Sequence, residues 1–450
     1  MHIVVKLEEK LRAKVRDDVL QHVLKSLTSS GSDPSPLAAA MMVEMVKLDL
    51  VLLKGVATTL EMLLKDKHSR RAAIAVLGKL SEQHPANEAV NRATSHLQTL
   101  VLQVADPTYD YDVITICRNF GWKCGSKASL VHLKTITASP HQRILSSAYF
   151  PGRDELATGG SEGNVAIWGS PSFGDVPAAQ FTLTGPGNIW YSPVGMDASP
   201  KGSALAVACV ASRTLAPVIK LFLCSESGVW SLGDTVNRTP NTIMTAIKAV
   251  STRIGGLCVA ESTEQEGELV HDVVLFGGNS ATSETRKLAR AHSDYITVVT
   301  SSAENENWLL TGSRDTLVKV WDTRNGPGTS PAHSLQHHTD TITSIAAVRD
   351  TLLTASLDNM LCLWDTRKLK SPVTERPSPS PILRVACATG ASVVVATTQS
   401  LSLLSLHPFH AHDVVPNVCY TEVRPNHDGS VIFATGDSID LYAIQPLPGA

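Results

Sequence analysis

The sequence lacks the signatures of most chemistries. It holds eight cysteines, but no two form a C-x-x-C pair, and several lie inside apolar runs. That argues against zinc and disulfides and for buried thiols in a reducing compartment. An excess of one charge is also missing: 39 Lys and Arg face 42 Asp and Glu, for a net charge of −3. A basic face for direct, sequence-specific contact with nucleic acid is therefore not expected. No apolar run is long enough to span a membrane, because Lys47, Asp49, Lys54 and Glu61 interrupt the best one. Residues 1–10 become charged too early for a secretory signal. There is no phosphate-binding glycine loop between a strand and a helix, and no nucleophile elbow. Cytosol or nucleus is the expected compartment, with no cofactor and no metal implied.

What the chain does contain is a repeat. Leu309–Arg324 reads LLTGSRDTLVKVWDTR and Leu352–Arg367 reads LLTASLDNMLCLWDTR, 43 residues further on. In each, an Asp lies six residues before the Trp (Asp315 and Trp321, Asp358 and Trp364). A Thr lies four residues before that Asp (Thr311, Thr354), and a His lies upstream (His292, His338). Period and pattern resemble WD repeats, whose blades are four-stranded sheets that stack radially because none can bury its faces alone. The resemblance implies that His, Thr, Asp and Trp form a buried hydrogen-bonded tetrad, since buried polar groups need mutual partners. His292 and His338 are therefore read as structural, not as metal ligands or bases.

Weaker copies flank this pair. His141, Thr158, Glu162 and Trp168 keep the order, with Glu in place of Asp. His412 and the run Ile432–Tyr442 suggest a blade without the Trp, and residues 381–406 fit a short one. Two more fit between Asn188 and Gly278, around the apolar runs 204–210, 218–223 and 273–276. Gly159, Gly160 and Gly163 fit turns within a blade. Residues 143–444 have room for seven blades, and 130–133 is expected to close the ring by joining the last blade, because closure removes strand edges.

The front end is helical. Residues 1–34 read as an amphipathic helix and a Ser/Pro/Gly linker, and 35–105 as a helical oligomerisation region. The segment 106–129 reads as a linker and 130–450 as the propeller. Within the second region a helix over 37–64 is apolar on more than one stripe, and further helices are expected over 69–82 and 87–104. Coiled-coil or bundle oligomerisation is favoured over a self-contained helical domain, with Leu53, Val56, Leu60 and Leu63 on the seam. The basic run 65–71 reads as a solvated face or turn.

The layout resembles the pre-mRNA-processing factor nineteen family. The residues that carry this are the Leu-rich helix around 60–64 ahead of the propeller, the run 156–165, and the blade end 363–370. The resemblance implies a nuclear scaffold that binds splicing-complex proteins and forms a homo-oligomer. It also implies work with a ubiquitin-conjugating enzyme or ubiquitinated substrates. The U-box that opens members of that family is not recognisable in residues 1–34, so ligase activity is not expected of this chain alone. The expected fold class is thus an all-β seven-bladed WD-repeat propeller preceded by an α-helical coiled-coil or bundle region.

Two other classes compete. Both clear repeats end in Trp-Asp-Thr-Arg, which resembles the box by which cullin-ligase substrate receptors dock on an adaptor; Arg324 and Arg367 would dock. An enzyme with its own active site finds little support. His407, His410 and His412 lie close together, but Pro408 breaks their spacing and His412 fits the blade pattern. Asp110 and Asp112 are paired carboxylates in the expected linker.

Overall fold

A computed structural model describes residues 22, 23, 26, 52–66, 69–84, 87–103, 110–122, 128–137, 143–169, 176–185, 189–199, 202–212, 214–250, 256–277, 284–302, 305–325, 330–388, 392–406 and 409–446. They form two compact units, one within residues 1–127 together with 410–414 and one within 128–409 and 415–446.

In the helical unit, α1 spans Leu52–Lys65, α2 Arg70–Gln83, α3 Glu88–Thr94, α4 Gln98–Leu102 and α5 Asp110–Phe120, with a 3₁₀ turn at Ser95–Leu97 between α3 and α4. Asn87 caps α3, its side chain accepting from the N–H of Ala89 at 3.0 Å and of Val90 at 3.2 Å. One core joins the helices. Val56 and Leu60 of α1, Leu77 and Leu80 of α2, Leu97 of the turn and Ile116 of α5 are each 0 % exposed. Two expectations are corrected here. Val56, Leu60 and Leu63 were read as an oligomer seam, yet they are buried against the chain's own helices. A side chain already removed from water has no apolar surface left for a second copy. The side chain of Leu53 lies outside the described residues. The segment read as a linker contains α5, whose Val113, Ile116, Cys117 and Phe120 enter the same core at helical spacing. Asp110 and Asp112 therefore lie on the first turn of a helix.

The propeller is seven antiparallel sheets. Blade one covers 144–182, blade two 184–237, blade three 242–292, blade four 296–336, blade five 342–377, blade six 382–416 and blade seven 422–446. The fourth strand of blade seven is Ala128–Ile136, paired antiparallel with Ile439–Pro446. The chain thus closes its ring with a strand from before blade one, as expected, and the closing strand is longer than 130–133.

One register position repeats through all seven sheets. On the second strand, the residue where pairing with the innermost strand resumes after its bulge is Gly159, Ala208, Ala260, Gly312, Ala355 or Ala396, and in blade seven, which has no bulge, Ala434 pairs second. All are buried. The glycines show why they are small. A Cβ on Gly159 would lie 2.5 Å from Met196 Cε of blade two, and one on Gly312 would lie 2.6 Å from Ile342 Cγ2 of blade five. The next blade packs directly on this position, so only Gly or Ala leaves room. Gly159 and Gly160 are accordingly strand residues and not turn residues. Gly163 does occupy a turn, at φ +75°.

Polar bonds stitch the inner ring between neighbours. Met196 N–H donates to Ser146 Oγ at 3.0 Å, and Ala249 N–H to Asp197 Oδ2 at 2.9 Å. Val385 N–H donates to Ser344 Oγ at 3.1 Å, and the Thr435 hydroxyl to Ser147 Oγ at 3.3 Å.

Candidate functional site

Blades four and five bring the repeated side chains together. In blade four, Trp321 Nε1–H donates to Thr311 Oγ1 at 2.9 Å. His292 Nε2 lies 2.7 Å from the same oxygen, and His292 Nδ1 lies 2.9 Å from Asp315 Oδ2. In blade five the corresponding distances are 2.9 Å from Trp364 to Thr354, 2.8 Å from Thr354 to His338 and 2.9 Å from His338 to Asp358. A neutral imidazole satisfies this chain completely. Indole N–H gives to the hydroxyl oxygen, the hydroxyl gives to Nε2, and Nδ1–H gives to the carboxylate. A proton on Nε2 would face a hydroxyl oxygen that already accepts from the indole.

The electrostatics agree with that arrangement. Burial lowers the His292 pKa, and it outweighs the opposing pull of Asp315. Burial pushes the Asp315 carboxyl up, but His292 and the N–H groups of Ser293 and Leu317 outweigh it and hold the carboxyl well below the usual range. Asp358 is lowered in the same way, burial being overcome by His338, Thr339 and Met360. Each Asp also builds its turn, since Leu317 N–H reaches Asp315 at 3.1 Å and Met360 N–H reaches Asp358 at 2.9 Å. These constellations fasten blades; no reacting group among them faces solvent.

The other blades use different fastenings. Blade one keeps only the last link, Trp168 Nε1–H to Thr158 Oγ1 at 2.8 Å; Glu162 is exposed, and His141 lies outside the described residues. In blade three, Arg238 makes two bonds to the carboxylate of Glu261, at 2.9 and 2.7 Å, with Glu284 at 3.6 Å. In blade two, buried Lys220 donates to Thr184 O at 3.2 Å and stands 4.7 Å from the Tyr191 ring centre. In blade seven, Tyr420 Oη–H donates to Asp440 Oδ2 at 2.9 Å and lies 2.8 Å from Tyr442 Oη. His412 lies on the outer strand Phe409–Pro416 of blade six. His410 and His412 have ring centres 4.5 Å apart, and His407 lies outside the described residues. Among the described residues no group of three potential ligands converges. The described cysteines are free thiols, and burial pushes Cys209, Cys362 and Cys387 up to about 12.

The innermost strands enclose a channel with a cavity of about 180 Å³. Its wall carries five charged side chains. Arg384 Nη2 donates to Glu422 Oε1 at 2.8 Å and Arg424 Nη2 approaches Glu422 Oε2 at 3.3 Å, while Lys248 Nζ stands 3.1 Å from Asp197 Oδ2. Burial raises the Glu422 pKa, but Arg384, Arg424 and Lys248 outweigh it and hold the carboxyl below its usual value. Leu145 and Val194, on the wall beside them, are 40 % and 42 % exposed. Trp190 of blade two and Ile243 of blade three are also exposed, each the second residue of its innermost strand.

The WD domain, G-beta repeat family model matches residues 283–322 and 329–365. This chain is a WD40-repeat protein. No curated protein sequence matches it. The matched repeat is offset from the blade: residues 283–322 take in the outer strand of blade three, Glu284–His292, and the three inner strands of blade four. Each WD40 repeat therefore ties two blades, and His292 reaches across that joint to Asp315.

In this WD40 propeller Arg324 and Arg367 lie in the turns just after the third strands of blades four and five. Each forms a two-pronged pair with the Asp two residues earlier, with closest contacts of 2.5 Å to Asp322 and 2.8 Å to Asp365. Their side chains are 67 % and 70 % exposed. The channel residues Asp197, Lys248, Arg384, Glu422 and Arg424 were not singled out in the sequence. A signal was there: Lys248 and Arg384 interrupt otherwise uncharged strands, Thr242–Ala249 and Ile382–Cys387.

Proposed function

We propose that this chain is a protein-binding scaffold whose propeller engages partners at the mouth of its central channel. The observation that carries the reading is the channel wall, where exposed Leu145 and Val194 lie beside a five-residue charge cluster. Exposed apolar side chains rimmed by polar ones favour a protein partner. The cavity of about 180 Å³ is smaller than the roughly 300–1,000 Å³ typical of small-molecule sites, which favours a partner's side chain over a whole ligand. The finer expectation, splicing-complex proteins in the nucleus, rests on the resemblance to the pre-mRNA-processing factor nineteen family.

The test uses the full chain as bait in nuclear extract. Splicing-complex proteins are expected, and Val194→Asp or Trp190→Ala should cut their recovery at least fivefold while the melting curve is unchanged. Recovery that survives both substitutions overturns the channel-mouth reading. A second reading, substrate receptor of a cullin ubiquitin ligase, is favoured by one observation: Arg324 and Arg367 expose their heads on equivalent turns of adjacent blades. It requires cullin-ligase subunits in the same eluate, lost with Arg324→Ala combined with Arg367→Ala.

A further inference from the structure

The charges on the channel wall do not balance. Lys248, Arg384 and Arg424 are three cations, and Asp197 and Glu422 are two carboxylates. Both carboxylates are already occupied. Asp197 Oδ2 accepts from Ala249 N–H at 2.9 Å and faces Lys248 at 3.1 Å. Glu422 takes Arg384 at 2.8 Å and Arg424 at 3.3 Å. Arg384 is further satisfied by Thr343 O at 2.6 Å. Arg424 is the least satisfied of the three: its ion pair is the longest, and its Nε is buried without an acceptor. A confined, unmatched positive charge is costly, and an incoming anion relieves that cost.

The neighbouring wall narrows the choice of anion. Where the innermost strands of blades three, four and five bulge, the residue is Thr245, Thr297 or Thr343; in blades one and two it is Leu145 or Val194. Thr297 and Thr343 turn their hydroxyls to carbonyls of the next blade, Ile342 O and Ile382 O. Leu145 and Val194 have no such bond to make and remain exposed to the channel. In ring order they lie between the Arg384–Glu422–Arg424 cluster of blades six and seven and the Asp197–Lys248 pair of blades two and three.

We infer that the channel receives an acidic side chain of a protein partner, its carboxylate set against Arg424 and Lys248 and an adjacent aliphatic residue set on Leu145 and Val194. This rests on the scaffold reading above and names the chemistry that the partner presents. Arg424 is the principal attractor, because Arg384 is already bound on two sides. The interaction weakens with salt, since the attraction is between charges.

Fluorescence anisotropy with the full chain tests it. The probes are a labelled peptide of alternating Leu and Glu, its Leu/Gln counterpart, and inorganic phosphate as competitor. The Leu/Glu peptide is expected to bind at least tenfold more tightly than Leu/Gln, with affinity falling as salt rises. Arg424→Gln should weaken it about tenfold and Lys248→Gln by a smaller factor, while Arg349→Gln, on an exposed turn, leaves it unchanged. Melting curves accompany each variant, and Lys248→Gln serves if Arg424→Gln does not fold. Equal binding of both peptides, or binding indifferent to Arg424 and Lys248, overturns the inference. So does full displacement by phosphate at concentrations where added glutamate does nothing, which would assign the channel to a phosphate ligand. Failure of the underlying reading looks different: partner recovery from extract would then survive Val194→Asp. Recovery lost with Val194→Asp but indifferent to Arg424→Gln sinks the acidic side chain alone.

Discussion

Blades four and five differ from blades two and three in how they are fastened, although all four are antiparallel sheets and only blade two adds a fifth strand. The first pair use the His–Asp–Thr–Trp chain, with an internal acceptor for every donor. Blades two and three use ions: Arg238 on Glu261, Lys220 under Tyr191, and Lys248 on Asp197. His292 and Asp315 are 23 residues apart, and so are Arg238 and Glu261. Each pair ties one blade to the chain arriving from the blade before it, by a neutral ring in one case and by a guanidinium in the other. What the sheets share is the small residue on the second strand, Ala208 and Ala260 in one pair and Gly312 and Ala355 in the other. Blade stacking sets the architecture, and the polar network is a replaceable fastening on it.

The comparison can be broken at its charged half first. Glu261→Ala leaves Arg238, whose side chain is 15 % exposed, with Glu284 at 3.6 Å as its one remaining carboxylate among the described residues. Removing one partner of a buried pair costs about 3 kcal/mol or more, so denaturant unfolding of this variant should show the largest loss. A loss below that of Asp358→Ala would mean that the ion pair is not the fastening.

The shared position comes next. Ala208→Leu and Ala355→Leu both force a side chain into the neighbouring blade, and overpacking costs about 1–3 kcal/mol. The two losses should be similar, because the position does the same work in an ion-paired blade and a tetrad blade. A loss confined to one of them would separate the blades more deeply than their fastenings do.

Asp315→Ala and Asp358→Ala follow, each stranding an imidazole N–H and two backbone N–H groups at a cost of about 1–3 kcal/mol. In blade one, Glu162→Ala should leave the thermal melt unchanged, since Glu162 is exposed.

Acid should separate the halves more gently. His292 has a lowered pKa in the fold, so the unfolded chain binds more protons and stability rises with pH. Its contribution is complete above the unfolded value of about 6.5 and is lost as pH falls below it. Asp315, also lowered, keeps its contribution above about 4 and loses it further down. Wild type should therefore lose stability between pH 7.5 and 5.5, and His292→Asn should flatten part of that slope. A slope unchanged in the variant would mean that His292 is not the titrating group.

The clear repeats were legible because the tetrad is local. Its hydrogen-bonded pairs are 10 to 23 residues apart, within one blade and the segment leading into it, so spacing alone displays them, twice over. Tyr420, Asp440 and Tyr442 were not legible, because residue types outside the tetrad pattern perform the joint there and no second copy repeats them. The helix α5 was missed for a related reason: at eleven residues it completes only about three turns.

The sequence by itself determined the architecture: seven sheets and a strand from ahead of blade one to close the ring. These depend on periods of two and of about forty residues, which the order of residues along the chain displays directly. Only the tertiary structure decided where the apolar face of α1 goes, because burial depends on the partner helices and a stripe of Val and Leu does not say whether they come from its own chain. It also decided the channel. Arg384 and Glu422 are 38 residues apart, and Lys248 and Asp197 lie on different blades. Neither pair exists until the ring bends the innermost strands around one axis, and the charge imbalance that remains there is a property of the closed ring alone.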